Sequence, residues 1–369
     1  MQIDFHHAVT YVTARVAGFN HEDANTIAHS AQYVDDATKE GVIKFKNGAK
    51  YSRIASAHKM LDYKNLDELD NHNIWVPFHF LPGNSGLPAG KNPDSFIRKM
   101  ICEPNSSVSL DMVESCIGDA NKPYGLHRLG ISMHVYADTW SHFGFAGVKH
   151  EINRVDNLVM HNDKFDITEK LSSFWGDFMD KVTNAFVSDF VPLGHGAALE
   201  CPDLPYLHWT YTNGLGEEVD RDNLVYCEAA VRTMITHMQN YRKSLGEEID
   251  ETSKEEDVNQ MIENFKNFRS RNADERHEMW LKSIFGGDFN FGKQQLSYDA
   301  KGPSSWKFEA LNIREDNENI KQGSKINDEI FEYHGNFLQS NWKLFHDALQ
   351  AHHFDISRNI LPKYGICIA

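Results

Sequence analysis

The chain has 369 residues, a length that suits one large domain or one and a half, and it sets 53 acidic side chains against 37 Lys and Arg, a net charge of −16. That balance excludes general binding to nucleic acid or anionic membranes through surface charge, because phosphates are gripped by an excess of Lys and Arg. The five cysteines (Cys102, Cys116, Cys201, Cys227, Cys367) are odd in number, widely spaced and without a CxxC pair, which excludes a disulfide framework and a thiolate zinc site.

The chain starts MQIDFHHAVTYVTARVAGF, without the cationic start and unbroken apolar run of a secretory signal, and no later segment approaches the length of a membrane span. The expectation is a cytoplasmic protein, with signal-less export left open. Apolar residues recur at three- and four-residue spacing near 5–18, 21–37, 95–101, 107–117, 122–146, 168–190, 221–245, 254–270, 273–285 and 327–352. This pattern predicts an all-α protein, a large helical bundle with long loops. Gly18 is placed to stop the first helix, and Asn20 to open the second, with Glu22 and Asp23 suiting its positive end. Pro and Gly mark 77–93 and 192–216 as loops of the length that often carries function. The acidic stretch from Gly246 to Asp257 reads as a linker or exposed turn. It divides a metal-binding helical domain at 1–246 from a helical extension at 247–369, either separate or packed into the same domain.

The 20 histidines draw attention because several stand inside apolar helical patterns. In HRLGISMHVYADTWSH, residues turn by about 100° each, so His134, Asp138 and His142 drift by about 40° per step and His127 lies about 20° from His134. Side chains of these types on one stripe can supply the nitrogen and oxygen ligands of a divalent ion; the simpler alternative is a hydrogen-bonded row in the core. In AQYVDD, Asp35 continues the buried stripe Ala24, Ile27, Ala28, Ala31 and Val34, and a carboxylate in an apolar interior must be paired, protonated or metal-bound. Asp35 is therefore expected to point inward with Asp36 supporting it, or the pair faces a Lys such as Lys39. His6, His7, His58, His79, His195, Asp203 and His208 are weaker candidates, of which His195 gains from its flanking Gly194 and Gly196.

An early His, an Asp ending the second helix, a His beyond it, a long helix with HxxxD and a further His, and then a later His resemble the zinc-dependent phospholipases C and the single-strand-specific zinc nucleases. That resemblance implies an all-helical fold with His6, Asp35, His58, His134, Asp138, His142 and His195 as ligands of one to three ions of zinc or another divalent transition metal. It implies metal-assisted hydrolysis of a lipid or small-molecule phosphoric ester, with Asp35 or Asp36 bridging metals or taking a proton and Arg128 orienting a phosphate oxygen. The chain departs from those families in lacking an N-terminal Trp, in its HxxxDxxxH spacing and in having no later HxxxE. The phrases MQIDFHH, SAQYVDDAT, PFHFLPG and RLGISMHVYADTWSHFGFAG resemble more closely an uncharacterised bacterial domain of unknown function, over roughly the first two hundred residues.

Two other readings stand beside the phosphoesterase: a noncatalytic helical protein with a structural metal, and a His-Asp nucleotide phosphohydrolase built on His346-Asp347 near His352, His353 and Asp355. Motifs for a serine nucleophile or a phosphate-cradling loop are missing. Residual apolar helix faces leave homodimerisation open.

Overall fold

In a computed structural model of the chain, residues 1–58, 68–163, 193–250, 255–313 and 330–368 are described. The helix expected near 168–190 lies outside them. A π-helical turn, Asp4–Val9, runs unbroken into α1 (Thr10–Val16). Gly18 then adopts φ +98°, and the Asn20 side chain accepts from the Asp23 amide at 2.9 Å to cap α2 (His21–Asp36), as the sequence predicts. The other α-helices among the described residues are α3 (Glu68–Phe78), α4 (Phe96–Met100), α5 (Ser107–Gly118), α6 (Gly125–Ser141), α7 (Asn223–Ser244), α8 (Glu255–Asn267), α9 (Ala273–Gly286), α10 (Trp306–Leu311) and α11 (Asn341–Phe354).

α6 is the axis of the molecule: nearly every residue from His127 to Asp138 is buried, and α2, α5, α7 and α11 all pack on it. Its crossing with α2 is unusually close because position 130 has no side chain. A Cβ there would stand 2.3 Å from the Ile27 carbonyl oxygen and 2.6 Å from Ser30 Cβ. One apolar cluster runs from Phe5 and Val12 through Met133, Met234 and Trp280 to Ile356 and Ile366, so segments beyond residue 247 share a core with the first helices.

The all-α expectation is overturned by strands: the described residues are 55% helical and 11% strand, with two small sheets among them. In one, β1 (Gly41–Phe45) pairs antiparallel with β2 (Lys50–Arg53) and parallel with the two-residue β6 (Ile330–Phe331). In the other, β3 (Val155–Met160), β4 (His208–Asn213) and β5 (Glu218–Asp222) form an antiparallel meander in that order. β4 lies within the expected loop 192–216. Its sequence HWTYTN does alternate: Trp209, Tyr211 and Asn213 are buried while His208, Thr210 and Thr212 are less so, the two-residue period of a strand with one covered face. The strands have only two to six residues each, too few for their alternation to stand out from the sequence. The expected helix 327–352 also starts late, at Asn341, where the Ser340 hydroxyl accepts from the Lys343 amide.

The sheet of β3, β4 and β5 holds the end of α6. The buried Arg221 guanidinium donates to the Phe143 carbonyl at 2.7 Å and to the Trp140 carbonyl at 3.0 Å, satisfying groups that a helix terminus leaves open.

Two outcomes follow from this packing. Gly130→Ala forces α2 and α6 apart, and a loss of about 1–3 kcal/mol is expected in urea unfolding, the usual cost of overpacking. Burial lowers the pKa of His29, His127 and His346 from 6.5 to about 3, about 4 and about 3. Below about pH 6.5 the unfolded chain takes up protons that the folded chain refuses, so stability falls on acidification, by on the order of 1 kcal/mol per pH unit for each such histidine. The urea midpoint should drop between about pH 7 and pH 5, and less steeply in His346→Asn.

Candidate metal centre

Four parts of the chain converge on one face of α6. α6 supplies His134 and Asp138, and His142 follows as its C-cap. The π-helical turn adds His6, whose ring stacks on that of His134 with centroids 3.8 Å apart. A π turn carries an extra residue and re-aims its side chains, and this one is anchored by the buried ion pair of Asp4 with Arg276, at 2.7 Å and 3.1 Å. The end of α2 brings Asp35, His79 directly follows α3, and the loop before β4 contributes His195 and Asp203.

Among the described residues, three sets of side chains have ligand atoms within 4.8 Å of one another: His6, His134 and Asp138; Asp35, His79 and His134; and His142, His195 and Asp203. The first two share His134. Asp138 connects all of them, with Oδ1 3.1 Å from His6 Nε2 and Oδ2 3.3 Å from His134 Nε2, 3.4 Å from His79 Nδ1 and 3.8 Å from His142 Nδ1. The Met1 amino nitrogen lies 2.6 Å from Asp138 Oδ1 and 3.2 Å from Asp203 Oδ1, so a positive charge already stands where these carboxylates meet.

The hydrogen bonds behind the rings fix what faces the centre. A carbonyl only accepts, so the ring nitrogen bonded to it carries the proton. His79 Nε2 donates to the Ser56 carbonyl at 2.9 Å, His142 Nδ1 to the His79 carbonyl at 2.7 Å, and His195 Nδ1 to the Leu199 carbonyl at 3.0 Å. The other nitrogen of each ring, His79 Nδ1, His142 Nε2 and His195 Nε2, therefore faces a carboxylate, that of Asp138 at 3.4 Å or of Asp203 at 3.9 Å and 3.7 Å. Both His6 nitrogens and His134 Nδ1 are buried without a hydrogen bond, although His6 Nε2 is close to Asp138. Carbonyl-oriented imidazoles and buried carboxylates are the donor set of divalent transition metals, and these residues fit one. Buried His and Asp clusters of this kind can hold a metal ion.

Electrostatics agree with this donor set. Burial, and then the neighbouring His134, lowers the pKa of His6 to about 4; burial likewise lowers that of His134 to about 4 against the pull of Asp138. Both rings are thus neutral near pH 7, as metal ligands must be. Burial opposes ionisation of Asp138, yet His142, the Met1 amino group, His134 and His6 together hold it well below the ordinary carboxylate range. Asp203 is lowered in the same way, with the Met1 amino group and His195 overcoming burial. Asp35 differs: loss of hydration, aided by Asp138, raises it above the ordinary value, against His6 and His79.

Of the seven ligands expected from sequence, His6, Asp35, His134, Asp138, His142 and His195 come together, while His58 is buried but belongs to none of the three sets. His79 and Asp203 complete the arrangement; sequence offered both only as weaker candidates, because neither shares a helical stripe with the others. Asp36 faces away from the rings, accepting from Tyr298 Oη at 2.8 Å and Lys301 Nζ at 3.2 Å. Arg128, expected at a phosphate, is fully buried and donates instead to Asp119 at 3.3 Å and Asp355 at 3.0 Å. His127 leaves the stripe's function too, with Nε2 3.1 Å from Asn341 Oδ1.

The chain belongs to a family of unknown function, DUF6765, whose profile matches residues 1–360, nearly the whole chain. The membership agrees with the uncharacterised family expected from the sequence. No curated protein and no solved structure matches the chain, so the likeness to zinc phospholipases C and nucleases has no support from a relative.

Elemental analysis tests the centre. His79→Ala and Asp138→Asn are expected to reduce bound metal per chain, whereas His58→Ala and His127→Ala should leave it unchanged. Equal metal content in all four variants would place the ions elsewhere.

Proposed function

We propose that this protein is a metal-dependent hydrolase of phosphoric esters, with zinc or another divalent transition metal held by His6, Asp35, His79, His134, Asp138, His142, His195 and Asp203. The observation that carries the reading is that the centre has an open side. His6, His134 and Asp138 are sealed in the core, but a third of the Asp35 side chain is exposed and Asp35 lines a surface cleft. A structural site is closed by protein ligands; a catalytic one keeps a position for water and substrate.

Ions bound here would lower the pKa of a coordinated water and neutralise charge on the phosphoryl group. The remaining work falls to the chain. Asp35, with its raised pKa and its place at the cleft, is suited to take the proton of the attacking water. Gln32 Nε2 lies 3.4 Å from both Asp35 and Asp36 and steadies the pair, while Tyr298 and Lys301 hold Asp36. The carbonyl bonds of His79, His142 and His195 keep their rings oriented. The positive charge that phosphate needs comes from the centre itself, which accords with a chain of net charge −16.

The His-Asp phosphohydrolase reading finds no such constellation: Asp347 is tied to Tyr51 and Lys343, and His346 joins none of the metal-competent sets among the described residues.

The metal-loaded protein is expected to hydrolyse a small activated phosphodiester, and Asp35→Asn to lower kcat by about 10²–10⁴, the usual contribution of a general base. A single tightly held ion per chain with no hydrolysis of any phosphoric ester would instead assign the centre a structural role.

A further inference from the structure

A cleft of about 680 Å³ opens beside the centre. Asp35 and Met1 form its inner end, Gln32 and Asp36 of α2 one wall, Asp274 in the first turn of α9 another, and the segment Tyr298–Lys301 a third. Its charge is one-sided. Asp35, Asp36, Asp274 and Asp299 supply carboxylates, against the Met1 amino group, already paired with Asp138 at 2.6 Å and Asp203 at 3.2 Å, and Lys301, whose ammonium is turned to Asp36 at 3.2 Å. Asp299 is fixed in place by the backbone amides of Lys301, Gly302 and Ser304, at 3.0 Å, 2.6 Å and 3.1 Å. A second, independent feature also points to a ligand. The Gln32 side chain lines the cleft and is 5% exposed, its amide nitrogen is drawn to Asp35 and Asp36, and its Oε1 has no partner. A buried acceptor without a donor is costly, and a hydroxyl or ammonium from a bound molecule would relieve it.

Building on the phosphoric-ester reading, we infer that this cleft receives an alcohol portion of a phosphodiester that is uncharged or cationic and donates hydrogen bonds, and that it rejects polyanions such as nucleic-acid strands. The metal centre balances the single negative charge of the diester. Any further negative charge meets Asp36, Asp274 and Asp299 at short range, in a cleft whose low-dielectric walls concentrate their field. A hydroxyl or ammonium in the same position meets Gln32 Oε1 and the Asp36 carboxylate.

The test uses the metal-loaded full chain and a matched series of glycerol phosphodiesters, esterified with ethanolamine, with glycerol or with glycerol phosphate, and measures dissociation constants by calorimetry beside inorganic phosphate. The ethanolamine and glycerol esters are expected to bind about tenfold or more tightly than the phosphorylated one. Asp274→Lys should narrow that gap several-fold and Lys301→Glu should widen it; both residues are exposed and outside the proposed ligand set, and Asp274→Asn serves if the lysine variant does not fold. Equal binding of the three esters, or preference for the phosphorylated one, overturns the inference and leaves the phosphoric-ester reading standing. Failure to bind any ester or inorganic phosphate overturns both.

Discussion

Asp138 is a carboxylate taken out of water in the middle of a helix, and the chain is arranged around the need to compensate it. An isolated buried charge would cost more than the whole stability of an ordinary domain, so cationic or hydrogen-bonding partners must be brought to it from elsewhere. They come from His6 of the π-helical turn, His79 after α3 and the Met1 amino group, beside His134 and His142 at the neighbouring turns of α6. His79 and His142 are held from behind by backbone carbonyls, as is His195 beside Asp203, and the amino group of Met1 stands among the carboxylates. Side chains gathered in this way could hold a metal ion.

The rest of the fold makes that convergence rigid. Gly130 lets α2 close on α6, which sets Asp35 near His134 at 3.9 Å. Asp4 and Arg276 pin the π turn against α9 so that His6 can stack on His134. Gly194, at φ +56°, allows its loop to lie against the Phe80 ring, and Phe80 in turn stacks on His142 with centroids 4.4 Å apart. These contacts place side chains by packing rather than by flexible reach, the condition for a preorganised site.

The acidity of the chain takes on a local meaning at the cleft. A protein of this charge has little general attraction for phosphate, and the carboxylates around the cleft repeat that bias next to the centre. Under the proposed phosphoesterase reading, charge brought by a bound metal would act on one phosphoryl group without making the surface sticky for polyanions.

Helical periodicity determined the ends of α2 and α5 closely, the Asn20 cap, and the placement of His134, Asp138 and His142 on one stripe, because these depend only on residues a few positions apart. The inward turn of Asp35 was legible for the same reason. The two sheets were not, since their strands have only two to six residues and gain stability from partners far along the chain. His79 and Asp203 entered the centre, and Arg128 left it for Asp119 and Asp355, by contacts between segments that no local pattern encodes. The sequence by itself determined which helix carries the stripe of His134, Asp138 and His142 and that these polar groups must be compensated in the core. Only the tertiary structure decided which distant side chains compensate them, because that choice rests on helix crossing, ring orientation and burial.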